Sequence, residues 1–312
     1  MENNSELIIG NGSMHYEKHI IQLNNDKIAL HRFCQNEPGI PVLLMHGSIE
    51  NGRIFFTKNG KGLAPFLCQN GYDVYIPDMR GKGESEPKVH ADHKHSQTEQ
   101  ITIDIPAYLE RIEQLRPFTQ IHFGAHSWGG VLLLAYLARQ ADDRVRSLVF
   151  FGVKRKIGIR SIRKYFLIDL GWKRLGQIAI RKKGYFPAKD WKIGADNEPE
   201  NFYRETNNWL TNDQWIDSND NFNYGSTLNN MSLPPILSIV GIRDRVLGHY
   251  SDAKMLLNEI GSDKNSKLLI IGKKYGNKLN YNHINMLTNP EAPDDHFQEV
   301  VNWFNKNELV PE

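Results

Sequence analysis

The sequence predicts an α/β domain, a mostly parallel sheet covered by helices on both faces, and three observations carry that expectation. Short apolar runs alternate with amphipathic helical stretches over much of the 312 residues. Some runs, such as Pro41–Met45, are continuously apolar, as strands buried on both faces must be. Finally, Ile121–Phe123 leads through small residues to Ser127 and straight into the helical run that begins at Trp128.

Taken in order, Tyr16–Leu23 and Lys27–Phe33 read as antiparallel strands joined by the polar turn Asn24-Asn25-Asp26. Pro41–Met45 is the first buried strand. A helical pattern over Phe55–Asn70 ends at Gly71, and Tyr72–Ile76 is the next strand. A helix over Glu99–Leu115 precedes the strand that leads to Ser127, and Val145–Phe151 is the strand after it. The rhythm then stops until Pro235–Gly241, and resumes with a helix at Tyr250–Ile260, a strand at Lys267–Ile271 and a helix at Asp294–Asn305. The expected organisation is therefore a core of residues 1–152 and 232–312 with a helical cap, 153–231, inserted between two core strands.

The cap is electrically lopsided. Its first half carries thirteen Lys and Arg residues against Asp169 and Asp190, and its second half, 193–230, carries seven acids against Arg204. Ile159, Ile162, Phe166 and Leu170 mark an amphipathic helix in the basic half. That half reads either as a solvated face neutralised by the acidic half or as a peripheral contact with an anionic membrane.

Bulk properties exclude several classes. A formal net charge of +2 gives no reason to expect nucleic acid. Cys34 and Cys68 form neither a disulfide framework nor a metal-ligand spacing. No run of about 18 apolar residues could span a bilayer. Met1–Glu6 shows no basic and apolar leader pattern, so the expected location is the cytoplasm. The oligomeric state is not legible.

A serine on a tight strand-to-helix turn is pushed clear of the sheet, and the N–H of the next residue, Trp128, is free to bind a developing oxyanion. Acyl transfer from that serine needs a base and a carboxylate to orient the base. Such groups gather beyond the carboxyl ends of parallel strands. Asp244 follows the Ile236–Val240 run directly, and His283 follows the last strand, giving the chain order Ser127, Asp244, His283. Asp217 and Asp220 are rivals that no strand delivers to that edge, and His249, a rival base, opens a helix and is expected as a cap or surface residue. His126 is expected to point away into the sheet packing. The second oxyanion donor is expected at the N–H of Ser48, after His46-Gly47, with His46 supporting the loop.

His46-Gly47, Asp78-Met79-Arg80-Gly81-Lys82-Gly83-Glu84-Ser85, Ala125-His126-Ser127-Trp128-Gly129, Gly241-Ile242-Arg243-Asp244 and His283 together resemble the α/β-hydrolase superfamily, in its capped esterase and lysophospholipase-like branch. Ala125 departs from the usual first glycine of G-x-S-x-G. The resemblance covers roughly 27–152 and 232–307 and leaves the cap unmatched. It implies an α/β-hydrolase fold and a structural role for the Asp78–Ser85 loop, Arg80 and Asp78 tying down its turn. A serine, where dehalogenases and epoxide hydrolases of this fold carry Asp, implies acyl chemistry. The expected function is hydrolysis of a carboxylic ester through an acyl-enzyme, without cofactor or metal, on a small acyl substrate whose apolar chain is housed by Phe166, Trp172, Tyr185, Phe186 and Trp191. An acyltransferase or thioesterase with the same triad is the alternative, and a non-catalytic ligand-binding member of the fold a third reading. His90, Asp92, His93 and His95 have no spacing that would gather them on a metal, and are expected in a solvated loop.

Overall fold

Strands that alternate buried side chains between two faces set the architecture. The computed structural model describes residues 7–9, 14–117, 120–262 and 266–308; Met1–Glu6 lie outside them. In chain order the strands are β1 (Leu7–Ile9), β2 (Met14–Leu23), β3 (Asp26–Cys34), β4 (Pro41–Met45), β5 (Asp73–Asp78), β6 (Ile121–His126), β7 (Val145–Phe151), β8 (Tyr185–Phe186), β9 (Glu198–Pro199), β10 (Ile236–Gly241) and β11 (Ser266–Ile271). All except β8 and β9 form one sheet in the order β1-β2-β3-β5-β4-β6-β7-β10-β11. The pairings among β1, β2, β3 and β5 are antiparallel, and those from β5 through β11 are parallel.

Val42 and Leu44 pack into one apolar cluster, Leu43 and Met45 into the other, which is why β4 reads as an unbroken apolar run. Helices Leu63–Gln69, Asn285–Thr288 and Phe297–Lys306 cover the first face. Helices Ile105–Leu115, Trp128–Gln140 and Tyr250–Glu259 cover the second. The chain leaves β4 toward β5 on one side and returns to β6 on the other. The crevice beyond the ends of β4 and β6 is thus the switch point where α/β sheets place their ligands.

Two expectations are corrected in this frame. The helix expected over Phe55–Asn70 is only Leu63–Gln69, because the loop bonds Ala64 N–H to Phe55 O and Thr57 N–H to Lys61 O replace its first turns. The amphipathic helix of the basic half begins at Ile162 and continues to 183, through a wide-turn stretch Tyr165–Leu175. Ile162 and Phe166 face outward while Ile168 is buried, opposite to the expected apolar face.

Between β7 and β10, residues 162–183, Glu200–Thr211 and Tyr224–Asn230 are helical. Trp209, Trp215 and Tyr224 join the main core, whereas Ile180, Phe186, Ala188 and Tyr203 form a small cluster of their own, with Trp172 packed against it. Buried Lys82 holds Glu198 at 3.0 Å, and the same carboxylate accepts the Ile49 N–H at 2.8 Å. Asp196 accepts the Gly83 N–H at 2.8 Å and the Asn51 amide at 2.7 Å. These bonds fasten the segment between β7 and β10 to the loops after β4 and β5.

Candidate active site

Ser127 follows β6 with φ 50° and ψ −123°. A side chain at positive φ costs on the order of 1–3 kcal/mol and persists only where its surroundings enforce it. Here the Ser127 N–H donates to Phe151 O at 2.9 Å, and the Gly130 N–H donates to Ser127 O at 3.2 Å. At Gly129 a Cβ would meet the carbonyl oxygens of His46 and Met45 at 2.4 and 2.5 Å, so only glycine lets the helix start this close to β4. The serine therefore stands at the N-terminal end of helix Trp128–Gln140. The indole N–H of Trp128 donates to Gln97 Oε1 at 2.6 Å, fixing the residue whose backbone N–H opens the helix.

The loop after β4 lies against the serine, since a Cβ on Gly47 would come within 3.0 Å of Ser127 Cβ. Ser48 sits in this loop. Buried His46 braces it, donating from Nδ1 to Gly47 O at 2.9 Å and accepting the Met79 N–H on Nε2 at 3.0 Å. Burial and the nearby Lys82 push its pKa down to about 4, so it stays neutral at ordinary pH.

Asp244 and His283 arrive from the loops after β10 and β11. His283 Nδ1 donates to Asp244 Oδ2 at 2.6 Å, with both side chains buried. The Arg243 N–H donates to Tyr281 O at 2.8 Å and joins the two loops. Burial holds the His283 pKa below its ordinary value, only partly offset by the Asp244 charge. Burial would raise Asp244, but the His283 imidazole more than reverses this and holds the carboxyl below the usual range. A neutral imidazole with its Nδ1 proton on a carboxylate is the tautomer that leaves Nε2 free to accept a proton.

Gly152 packs directly on this pair. Its φ is 60°, and a Cβ there would lie 2.8 Å from His283 Nδ1. Gly152→Ala is expected to displace the imidazole and lower kcat by about 100-fold, in line with the sensitivity of such geometry to a shift of about 1 Å. Steady-state kinetics beside a thermal melt would check it; an unchanged kcat would mean that the ring is not so confined.

The site contains two residues that sequence reasoning missed or misplaced. His126 does not turn into sheet packing. Its Nδ1 meets Glu50 Oε2 at 2.7 Å, and its Nε2 donates to the carbonyl oxygen of His283 at 2.8 Å. The same Glu50 oxygen accepts the Gly47 N–H at 2.9 Å. This pair, with His126 buried and Glu50 largely so, ties together the loops that carry Ser48, Ser127 and His283. Burial would raise Glu50, yet the charge of His126 brings it down to about 2. Burial would lower His126, but Glu50 outweighs it and raises the pKa. The pair is therefore ionic. The one hint in the sequence was a lone acid three residues after Gly47, beside a His next to the serine.

The His126 cation, with its ring centroid 4.5 Å from that of His283, contributes to the lowered His283 pKa. Glu50→Gln is expected to let His126 lose its proton, and the pKa of His283 then rises. The acid limb of the kcat/KM profile should move to higher pH; a limb that stays in place would remove His126 from the electrostatics of His283.

The rivals have other duties. Asp217 accepts from Thr98, Arg139 and Tyr224, and Asp220 pairs with Arg139. His249 caps helix Tyr250–Glu259. Ser85 donates to Asp78 O and accepts the Ala29 N–H. Asp78 ties the glycine-rich turn by accepting the Glu84 N–H at 2.6 Å, but Arg80 pairs instead with Asp26 and Asp104. His93 and His95 are buried, not solvated as expected, and among the described residues no three His, Cys, Asp or Glu side chains gather as a metal site. Of the aromatic residues expected around an acyl chain, Phe166 and Trp191 are exposed, and Trp172 and Phe186 are packed in the insertion's own cluster.

Comparison with known proteins fits this architecture. The family model of the alpha/beta hydrolase fold matches residues 40–173. Lipase 1 of Psychrobacter immobilis is 33% identical over 113 residues, 36% of this chain and 31% of the relative. A proline iminopeptidase of Xylella fastidiosa (strain 9a5c) is 28% identical over 138 residues, 44% of this chain and 40% of the relative. The chain thus spans less than half the length of these curated relatives. Among solved structures, the thioesterase domain from the curacin biosynthetic pathway superposes with a TM-score of 0.56 at 15% identity, covering 93% of this chain and 99% of that one. With its switch-point sheet and the strained serine after β6, the chain has the α/β-hydrolase fold.

Proposed function

We propose that the protein is a serine hydrolase acting on carboxylic esters, with Ser127 as nucleophile, His283 as general base and acid, and Asp244 as its orienting carboxylate. The observation that carries this reading is the buried 2.6 Å bond between His283 and Asp244, at the same sheet edge as a serine held at positive φ. Ser127 Oγ attacks the acyl carbon while His283 Nε2 takes its proton. The oxyanion is held by the N–H groups of Ser48 and Trp128, the Gly47 N–H being already engaged with Glu50. The leaving alcohol departs with the proton from His283. Water then attacks the acyl-enzyme, His283 taking and returning a proton in the same way, and the carboxylic acid is released. Residues 153–231 act as a cap over this edge, fastened through Lys82 and Glu198. The cytoplasmic location expected from the sequence stays part of this reading.

A fluorophosphonate probe and p-nitrophenyl esters of graded chain length test the proposal. Labelling of Ser127 with ester turnover supports it, and absence of both favours the non-catalytic reading. The likeness to a thioesterase domain gives the second reading, in which the same acyl-enzyme forms from a thioester or passes to another acceptor. Product analysis with thioesters, and with added alcohol or thiol acceptors, separates the two.

A further inference from the structure

Several large apolar side chains of the helical segment 162–183 face outward. Ile162 is 78% exposed and Phe166 60%, and Leu167, Leu175 and Ile178 are each about half exposed. Exposed apolar residues in such a group mark a surface that meets something. Their surroundings are basic: residues 160–183 hold eight Lys and Arg against Asp169 alone. Lys164 is committed to Asp169 at 2.8 Å, and Lys173 lies 3.9 Å from it. Arg163, Arg174, Arg181 and Lys182 stand exposed beside the apolar residues.

A second feature adjoins this face. Arg163 shares a cavity of about 390 Å³ with Arg243, Arg245 and Asn282. None of the three guanidinium groups has a side-chain hydrogen bond or ion pair among the described residues. Guanidinium forks match the oxygens of a phosphate, and three that converge without a carboxylate leave positive charge to be matched. Arg243 and Arg245 flank Asp244, and Asn282 precedes His283. The cavity therefore lies beside the loops that supply the His–Asp pair.

We infer that this face docks on an anionic lipid surface. Ile162, Phe166 and Leu167 enter the boundary between headgroups and acyl chains, and the basic side chains meet the headgroups. The Arg163, Arg243 and Arg245 cavity receives a headgroup phosphate. Charge selects the occupant: two copies of so basic a face repel one another, whereas an anionic bilayer complements both its charge and its apolar residues. The inference deepens the ester-hydrolase reading by naming where the ester is met, and it rests on that reading only for the substrate; docking itself needs no catalysis.

The test is co-sedimentation of the full chain with phosphatidylcholine vesicles, with and without phosphatidylglycerol, at low and high salt. Binding to the anionic vesicles alone, lost at high salt, is expected. Phe166→Asp and, separately, Arg163→Glu should each weaken that binding by about tenfold or more, given the role of both apolar burial and charge. Both variants should keep wild-type turnover of soluble p-nitrophenyl butyrate, which also reports that they fold. Ser127→Ala should bind vesicles as wild type does, so loss of activity and loss of docking remain separate results. Absence of binding to anionic vesicles, or Phe166→Asp binding undiminished, overturns the inference. So does a concentration-dependent dimer that Phe166→Asp dissolves without any vesicle binding, which would give the face to a second copy.

Discussion

Ser127→Ala is expected to lower kcat for p-nitrophenyl butyrate by about 10⁴–10⁶-fold, the range found when the nucleophile of a triad that works as a unit is removed. The size follows from the mechanism: without the oxygen no acyl-enzyme forms, and the oxyanion donors retain only their small contribution to direct attack by water. Fluorophosphonate labelling should vanish in the same variant. The fold should survive, because the bonds that hold the turn are made by backbone atoms, Ser127 N–H to Phe151 O and Gly130 N–H to Ser127 O, and none uses the hydroxyl. Alanine also tolerates the positive φ about as well as serine does. Circular dichroism and a thermal melt beside the rate measurement make the result interpretable. A folded variant with undiminished turnover would reject Ser127 as the nucleophile.

How far the site could be read in advance depended on distance along the chain. Ser127 was legible because its strand, turn and helix are contiguous, and small residues at 125 and 129 announce a close backbone approach. β4 was legible as a continuous apolar run buried on both faces, and β10 as the strand at which the sheet rhythm resumes. Asp244 and His283 could be named because each follows a strand, although only the folded chain puts the 2.6 Å bond between them. Glu50 was different. Its role depends on reaching His126, 76 residues away, and no periodicity encodes such a pairing. The basic half of the insertion misled for a related reason. A helical apolar stripe states that one face is distinct, and here Ile162 and Phe166 face outward while the insertion's core is built from Phe186, Ile180 and Tyr203.

Asp244→Asn should leave the site's shape nearly intact and yet lower kcat by about 10⁴-fold, the effect of holding the base in the wrong tautomer. An amide at position 244 can donate to Nδ1, which puts the remaining imidazole proton on Nε2, where the mechanism needs a lone pair. The pH profile distinguishes this from simple damage. Burial lowers the pKa of His283 and the Asp244 charge opposes that effect, so removing the charge lowers the pKa further. A neutral imidazole then persists to lower pH, and the acid limb of kcat/KM should shift downward even as its plateau collapses. Fluorophosphonate labelling of Ser127 should slow in parallel, since the same proton transfer activates the serine in both reactions. KM should change little, because no part of the acyl-binding surface is altered. If the variant kept a rate within about threefold of wild type, below the threshold of any triad role, the carboxylate of the pair would be a structural anchor for the loop after β10.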